Sequence, residues 1–252
     1  AIRDRDGSVH RRGVDLLASE GDWYPHGTMV SGIAIGGWAG HHRLTGVAPG
    51  AEMVHVATDY RDEPPFLVPV EAGLAWAVAE GADIILIEDG EWVWEYLDGS
   101  SHLEQMMNEL AADAGVIFVV PAGNLAVGGM HSRFDRTTGQ SLDVADETWI
   151  SWISFLWREP VTLRLVVTPP GGAPVALPLD GTVEAGIYSN LSVSSRGTRR
   201  IDVRLAGDLA GRWHFGFEGP PATIHGFFYD DMSGWTSDSA WGVGAEAAYS
   251  VT

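Results

Sequence analysis

The first half of the chain alternates short apolar runs with helical patterns, and this alternation limits the possible folds more than any other feature. Apolar runs at 53–58, 83–88 and 116–121 have the length and composition of buried strands. Helical patterns at 70–79 and 103–114 lie between them. Strands and helices that alternate in this way form βαβ units around a parallel sheet. We therefore expect an α/β fold with a doubly wound parallel-sheet core.

The second helical pattern carries its own boundary signals. Ser101 and Glu104 have the spacing of a capping box, in which each side chain accepts a hydrogen bond from the backbone of the other residue. Gly115 follows the pattern and is typical of a helix C-terminus, as Gly81 is for the first helix.

The periodicity changes near residue 126. From there to 221 the sequence contains short alternating segments separated by Gly and Pro turns, which predicts an inserted antiparallel β-sandwich. We expect Trp152, Trp157 and Trp213 to be mostly buried there, since tryptophans at alternating strand positions are more often core than ligand-binding residues. Small residues return at 222–252. The predicted organisation is therefore 1–125 for the first part of the core, 126–221 for the insertion and 222–252 for a return to the core.

Composition excludes several classes of function. The net charge of −19 makes nucleic acid an improbable partner, because phosphate binding needs clustered positive charge. The absence of cysteine rules out disulfides, thiolate zinc sites and a cysteine nucleophile. The longest apolar runs fall far short of the roughly 20 residues that span a bilayer, so we expect no membrane segment. No leader pattern precedes Ala1, and any targeting peptide is expected to lie outside this sequence.

Two short motifs indicate chemistry. His26 is followed directly by a run of small and apolar residues, His26-Gly-Thr-Met-Val-Ser-Gly-Ile-Ala-Ile-Gly36, which predicts a tightly packed helix with His26 in its first turn. Asn124 ends Val119-Val-Pro-Ala-Gly-Asn124, just past the carboxyl end of a predicted parallel strand, where open α/β sheets place their sites. Either residue alone is compatible with an ordinary structural role.

Taken together, these motifs resemble the subtilisin-like (subtilase) family of serine peptidases. Gly46-Val-Ala-Pro-Gly-Ala51, Gly81-Ala-Asp-Ile-Ile-Leu-Ile87 and Ser239-Ala-Trp-Gly-Val-Gly-Ala245 match the family in the same order along the chain. The resemblance covers about 1–125 and 222–252. It implies an endopeptidase that acts on protein or peptide substrates, with secretion or another extracytoplasmic location favoured. No cofactor is implied, although structural calcium is common in the family.

The resemblance also implies roles for individual residues. The family's first strand ends in the catalytic aspartate, and aligning that strand assigns the role to Asp4, with Asp6 as the rival because it precedes Gly7. His26 takes the place of the general base. Asn124 takes the place of the donor to the oxyanion. The segment 87–90 departs from the family's Ser-Leu-Gly stretch, whose backbone pairs with extended substrate.

The nucleophile is missing from this sequence. The family's Gly-Thr-Ser-x-Ala-x-Pro string does not occur in the 252 residues. Ser194-Ser195-Arg-Gly-Thr198 is similar to another family string, but it lies within the insertion and lacks the proline, and we interpret the similarity as coincidence. We therefore expect the serine to lie on a C-terminal segment outside this chain. The alternative is a catalytically inactive pseudopeptidase that serves as a binding or regulatory module.

Overall fold

A computed structural model describes residues 2–3, 9–10, 26–37, 43–56, 67–88, 93–121, 128–231 and 238–242. The helices within these residues are α1 (His26–Ile35), α2 (Leu67–Ala79) and α3 (His102–Ala114). The strands are β1 (Ile2–Arg3), β2 (Val9–His10), β3 (Ile84–Leu86), β4 (Ile117–Val119), β5 (His131–Asp135), β6 (Gln140–Val144), β7 (Ile150–Trp157), β8 (Arg164–Thr168), β9 (Val175–Ala176), β10 (Asp180–Glu184), β11 (Ile187–Val193), β12 (Arg199–Ala206), β13 (Gly211–Glu218), β14 (Thr223–Asp230) and β15 (Ala240–Trp241).

The chain forms two compact units. The first comprises Ala1–Glu88 and Gln105–Val119, and the second comprises Asp89–Glu104 and Val120–Thr252. The chain therefore passes from the first unit to the second directly after β3 ends, returns within α3, and passes over again directly after β4 ends.

The first unit contains one parallel strand pair among the described residues. β3 pairs with β4 so that Ile84 lies opposite Ile117 and Leu86 lies opposite Val119. These four side chains are exposed by 61%, 60%, 51% and 45% respectively, so one face of the pair is uncovered. The pair agrees with the predicted parallel arrangement, and the remaining strands of a doubly wound sheet stay a prediction.

Helix α2 begins three residues earlier than predicted. The sequence analysis placed its start after Pro69, but a proline in the first turn loses no hydrogen bond because the first four N–H groups of a helix have no intrahelical acceptor. The helix ends as expected at a glycine. Gly81 has a φ of 85°, its N–H donates to Val78, and the N–H of Ala82 donates to Ala77, which is the Schellman arrangement.

The strand predicted at 53–58 is absent from residues 51–56, and residues 57 and 58 lie outside the described part. No strand hydrogen bonds form along 51–56. Instead the segment packs against α2, where a Cβ on Gly73 would lie 2.6 Å from Cγ1 of Val56. The described residues of this run are exposed or half-buried, so the prediction of a buried strand is wrong for them. Apolar composition alone does not make a strand, which also needs a hydrogen-bonding neighbour.

The capping box of α3 is confirmed. The N–H of Glu104 donates to Oγ of Ser101 at 3.2 Å, and the N–H of Ser101 donates to Oε2 of Glu104 at 3.0 Å. At the other end Gly115 has a φ of 70° and its N–H donates to Ala111. Both ends of this helix were therefore set by local side-chain chemistry that is visible in the sequence.

The described residues from 128 onward form two antiparallel sheets. One has six strands in the order β10-β11-β12-β7-β14-β5, and the other has five in the order β15-β6-β13-β8-β9. Their inner faces share one core, in which the ring of Phe155 from β7 lies 5.2 Å from Phe215 of β13 and 5.9 Å from Trp241 of β15.

Two strands of these sheets lie past residue 221, where the sequence analysis ended the insertion. β14 pairs with β7 and β5, and β15 pairs with β6, so 223–230 and 240–241 belong to the antiparallel sheets and not to the parallel pair. Ile224 and Phe228 of β14 are fully buried in the shared core. The glycines and small residues of this stretch suggested the other unit, but its burial alternates as in a strand.

Three tryptophans of the second unit lie in its core. Trp157, Trp213 and Trp241 are 1%, 7% and 5% exposed, and each indole N–H donates to a backbone carbonyl. Trp152 is half-buried and Trp149 is 63% exposed. The described helices include none long and apolar enough to cross a bilayer.

The core assignment predicts unequal effects of one substitution at two sites. Trp157→Ala removes a fully buried ring and is expected to lower the free energy of unfolding by about 3–5 kcal/mol. Trp149→Ala, at an exposed position, is expected to change it by less than about 0.5 kcal/mol. Guanidinium unfolding followed by circular dichroism measures both. Equal losses at the two positions would contradict the core described above.

Candidate active site

The carboxyl ends of β3 and β4 lie side by side. Leu86 and Val119 are register partners, and the N–H of Ile87 donates to the carbonyl of Val119 at 2.9 Å, which extends the pairing by one residue. The next residues on each chain segment therefore leave the same edge of the pair. This is the edge where α/β proteins collect their functional side chains.

Asn124 follows β4 by five positions and lies in 122–127, outside the described residues. The described residues end at Pro121, and Val119 to Pro121 lead toward Asn124 from the edge that β4 shares with β3. The role of oxyanion donor that the family resemblance implies for Asn124 stays a prediction.

Helix α1 begins at His26, as the motif predicted. The last carbonyl groups of α1 accept hydrogen bonds from the segment that begins at Gly46. The N–H of Val47 donates to the carbonyl of Ile33 at 3.0 Å, and the N–H of Ala48 donates to the carbonyl of Ala34 at 2.8 Å. The N–H of Gly46 donates to the carbonyl of Gly36 at 2.6 Å. The Gly-Val-Ala-Pro segment therefore caps the helix that carries His26.

The close contact between residues 46–48 and the end of α1 explains why residue 46 is a glycine. A Cβ on Gly46 would lie 2.6 Å from the backbone nitrogen of Gly36 and 2.7 Å from that of Ile35, closer than real side chains approach. Only glycine allows the two backbones to approach so closely. The end of α1 opposite His26 is thus held by backbone contacts.

Asp4 and Asp6 lie outside the described residues. β1, at Ile2–Arg3, ends directly before Asp4 and pairs antiparallel with β2. The choice between the two carboxylates as partner of His26 stays open.

Residues 93–104 are attached to the antiparallel sheets, and the sequence analysis assigned only the capping box at Ser101 and Glu104 within them. Val93 is 1% exposed and packs with Leu156 and Phe227. The N–H of Trp94 donates to Oγ of Ser154 at 2.8 Å. This segment leads into α3.

Trp94 also contributes ring contacts. Its indole meets that of Trp152 edge to face, with centroids 5.8 Å apart, and Trp152 in turn lies 5.6 Å from Tyr229. Aromatic pairs of this geometry add about 0.5–1.5 kcal/mol beyond the area that they bury.

A buried ion pair lies beneath this segment. Nε of Arg200 contacts Oδ2 of Asp202 at 2.8 Å, and Oγ of Ser154 donates to Oδ1 of Asp202 at 2.7 Å. The guanidinium also lies over the ring of Tyr96, 4.4 Å from its centroid. Burial raises the pKa of the Asp202 carboxyl, and Arg200 opposes that rise.

Glu95 and Asp98 in this segment have pKa values shifted in opposite directions. Burial is the largest influence that raises the pKa of Glu95, and the charge of Glu104 adds to it. For Asp98 burial alone would raise the pKa, but hydrogen bonds from Ser100, Ser194 and Thr198 together lower it.

Asp98 is the main polar attachment of the segment. Oγ of Ser194 donates to its Oδ2 at 2.6 Å, and the N–H of Ser100 donates to its Oδ1 at 3.0 Å. Ser194 lies in the turn between β11 and β12, where its Oγ also accepts from the N–H of Thr198 at 3.0 Å. Ser194 therefore has a structural role, consistent with the interpretation that its family-like surroundings are coincidental. Asp98-Gly-Ser is a turn signal that is visible in the sequence, but the bond to Ser194 spans 96 residues and has no local signal.

A sequence profile of the subtilase family of peptidases matches residues 4–213. The chain belongs to the subtilase family. The matched range extends through most of 126–221, which the sequence analysis placed outside the resemblance, and it stops before 222–252.

Curated relatives agree with this subtilase assignment. Pyrolysin of Pyrococcus furiosus is 34% identical over 81 residues, which are 32% of this chain and 6% of that protein. A thermostable alkaline protease of Halalkalibacterium halodurans is 31% identical over 122 residues, which are 47% of this chain and 32% of that protein.

A solved structure shares the fold of this subtilase. The CspB protease of Clostridium perfringens superposes with a TM-score of 0.62 at 18% identity, over 79% of this chain and 47% of that one. The subtilase described here thus spans less than half of the length of each of these three proteins.

The close approach at Gly46 gives a first test. Gly46→Ala forces the 46–48 segment away from α1 and is expected to destabilise this subtilase by about 1–3 kcal/mol. Gly32→Ala is the matched control, because a Cβ there meets nothing within 4 Å and alanine favours a helix by about 0.5–1 kcal/mol. Thermal unfolding measures both. A Gly46→Ala protein as stable as the Gly32→Ala protein would show that the cap is loose.

The opposed pKa shifts give a second test. Asp98 has a lowered pKa, so its contribution to stability is present above the unfolded-state pKa and is lost as pH falls through the folded pKa. Glu95 has a raised pKa, so its contribution is largest below the unfolded-state pKa and is lost as pH rises through the folded pKa.

Asp98→Asn is therefore expected to lower Tm at pH 7, with a deficit that shrinks on acidification. Glu95→Gln is expected to raise Tm at pH 7, with a gain that shrinks on acidification. Each variant removes one negative charge from the same segment, so the change in net charge is matched. Differential scanning calorimetry from pH 7 to pH 3 follows both, and curves that shift in the same direction would refute the assignment.

Proposed function

We propose that this subtilase is a serine endopeptidase, in which Asp4 and His26 act with a serine that lies outside these 252 residues. The observation that carries the proposal is that α1 begins at His26, the residue that matches the family's general base. The backbone cap at 46–48 supports it, because a base needs a fixed helix to hold its position.

The proposed reaction is acyl transfer to serine and then to water. The imidazole of His26 accepts the serine proton as the oxygen attacks the peptide carbonyl, and returns it to the leaving amine. The carboxylate of Asp4, or of its rival Asp6, accepts a hydrogen bond from the imidazole and stabilises its charged form. Water then repeats the sequence on the acyl-enzyme and frees the serine.

Asn124 is proposed to donate its side-chain N–H to the oxyanion. Deleting one such donor in a subtilisin costs roughly 2.7–4 kcal/mol in the transition state. The shared edge of β3 and β4 supports this role, since the segment that leads to Asn124 leaves that edge beside the segment that follows β3.

An extended peptide is the proposed substrate. In the family the segment after the strand equivalent to β3 pairs with substrate through its backbone, and such pairing needs a fixed edge. The apolar side chains of β3 and β4 are exposed on one face. This is consistent with the proposal that a further segment, which carries the serine, covers that face.

An extracytoplasmic location and a structural calcium ion are further proposals that rest on family membership. Among the described residues no group of three or more His, Asp or Glu side chains has the arrangement of a metal site.

Covalent labelling by a fluorophosphonate tests the proposal. A longer chain that includes the natural downstream sequence is expected to be labelled, and the 252-residue chain is not. His26→Ala in the longer chain is expected to lower the labelling rate by at least about a thousandfold, because the serine loses its base. His55→Ala, at an exposed histidine, is the matched control and should leave the rate unchanged.

The other outcomes are equally informative. Labelling of the 252-residue chain alone would place the nucleophile within it and refute the proposed triad. A longer chain that folds but is never labelled would favour the inactive pseudopeptidase. Loss of labelling in the His55→Ala protein would show that the assay reports stability and not the base.

A further inference from the structure

A pocket of about 300 Å³ opens on the outer face of the five-stranded sheet. Its floor is formed where β13 and β8 pair, with His214 opposite Thr168 and Gly216 opposite Val166. These residues alternate with the buried Phe215 and Phe217 of β13, so they face away from the core. The pocket lies entirely within the second unit and shares no residue with the proposed catalytic set.

Two glycines line the pocket, and Gly216 leaves its space open, whereas a Cβ on Gly139 would lie 2.6 Å from the carbonyl oxygen of Phe215. A Cβ on Gly216 would meet only the carbonyl oxygen of Val166, at 3.7 Å, so the space above this position is empty. A Cβ on Gly139 would lie 3.0 Å from Nε2 of His214. A glycine in the middle of a strand weakens it and is typical of a place that another molecule approaches.

Arg136 supplies the pocket with a guanidinium group, whose charge also acts on the neighbouring carboxylate of Asp135. It is the one arginine among the lining residues, and its Nε is buried with no hydrogen-bond partner in the described part of the chain. A buried guanidinium N–H without an acceptor is unfavourable, and a carboxylate is the acceptor that fits its planar geometry best.

His214 contributes a second polar group. Its Nδ1 lies 3.2 Å from Oγ of Ser141. When that hydroxyl donates to Nδ1, the ring proton is on Nε2, on the side of Gly139, and is a donor. Thr168 beside it adds a hydroxyl.

The remaining lining suits an organic acid better than an inorganic anion. Val166 and Pro174 provide apolar surface next to the donors. Glu218 also lines the pocket, but it faces Arg164 at 3.4 Å, which offsets its charge.

We propose that this pocket binds the carboxylate of a peptide, with Arg136 and His214 as donors and Val166 and Pro174 in contact with the adjacent apolar group. Peptide carboxylates come from chain termini or from acidic side chains, and both present the same chemistry to Arg136. The site is independent of the proposed peptidase activity, because it needs neither His26 nor a serine.

Saturation-transfer NMR on the 252-residue chain tests the site with defined probes. N-acetyl-leucine is expected to bind and N-acetyl-leucinamide is not, since only the first has a carboxylate. N-acetyl-glutamic acid α-amide reports on side-chain carboxylates. Its binding together with that of N-acetyl-leucine extends the site to both sources, whereas N-acetyl-leucine alone assigns it to peptide C-termini.

Two variants localise the binding. Arg136→Gln is expected to weaken it about tenfold or more, the loss typical of one charged hydrogen bond. Gly216→Val is expected to abolish it by filling the pocket, and valine at an open strand position should not harm folding. Arg204→Gln removes an exposed arginine from the other sheet and should leave binding unchanged.

Several results would overturn the proposal. Equal binding of acid and amide would remove the role of the carboxylate. Binding that survives Gly216→Val in a protein with unchanged circular dichroism would place the ligand elsewhere. No binding of any carboxylate probe to the unaltered chain, or equal loss in the Arg204→Gln protein, would refute the site.

Discussion

The backbone pairing of β3 with β4 is the constraint on which the proposed site of this subtilase depends. Its three register pairs are extended by hydrogen bonds from Ile87 to Val119 and from Ile117 to Asp83, so both strands end at the same level. The chain passes into the antiparallel unit directly after each strand. A parallel pair brings two segments that are distant in sequence to one edge, and the proposed oxyanion donor lies on one of them.

Two acidic residues of the segment 93–104 have pKa values shifted in opposite directions. Asp98 is held by hydroxyl and backbone donors that favour its charged form, whereas Glu95 is carried into a buried position that disfavours its charge. Arg200 forms an ion pair with Asp202 and lies over the ring of Tyr96. Its positive charge also opposes the rise in the pKa of Glu95. We therefore expect the strength of this segment's attachment to depend on pH.

Glycine has two different uses in this protein. At Gly46 it allows one backbone to lie against another, and the result is a capped helix whose first residue is the proposed base. At Gly216 it leaves a space that no protein atom fills, on a sheet that is otherwise well packed. The first use stabilises the fold, whereas the second creates a cavity lined by Arg136, whose Nε has no hydrogen-bond partner among the described residues.

The sequence by itself determined the position of α3, the end of α2, the capping box at Ser101 and Glu104, and the start of α1 at His26, because these depend on neighbours within a few residues. It also determined the family, through motifs that follow one another in a fixed order along the chain. Only the tertiary structure decided that residues 51–56 form no strand, that 223–230 and 240–241 join the antiparallel sheets, and that Asp98 is bonded to Ser194. Each of these depends on a partner far along the chain. Local chemistry fixes how a segment can fold, but the choice of its hydrogen-bonding neighbour is made by packing of the whole chain.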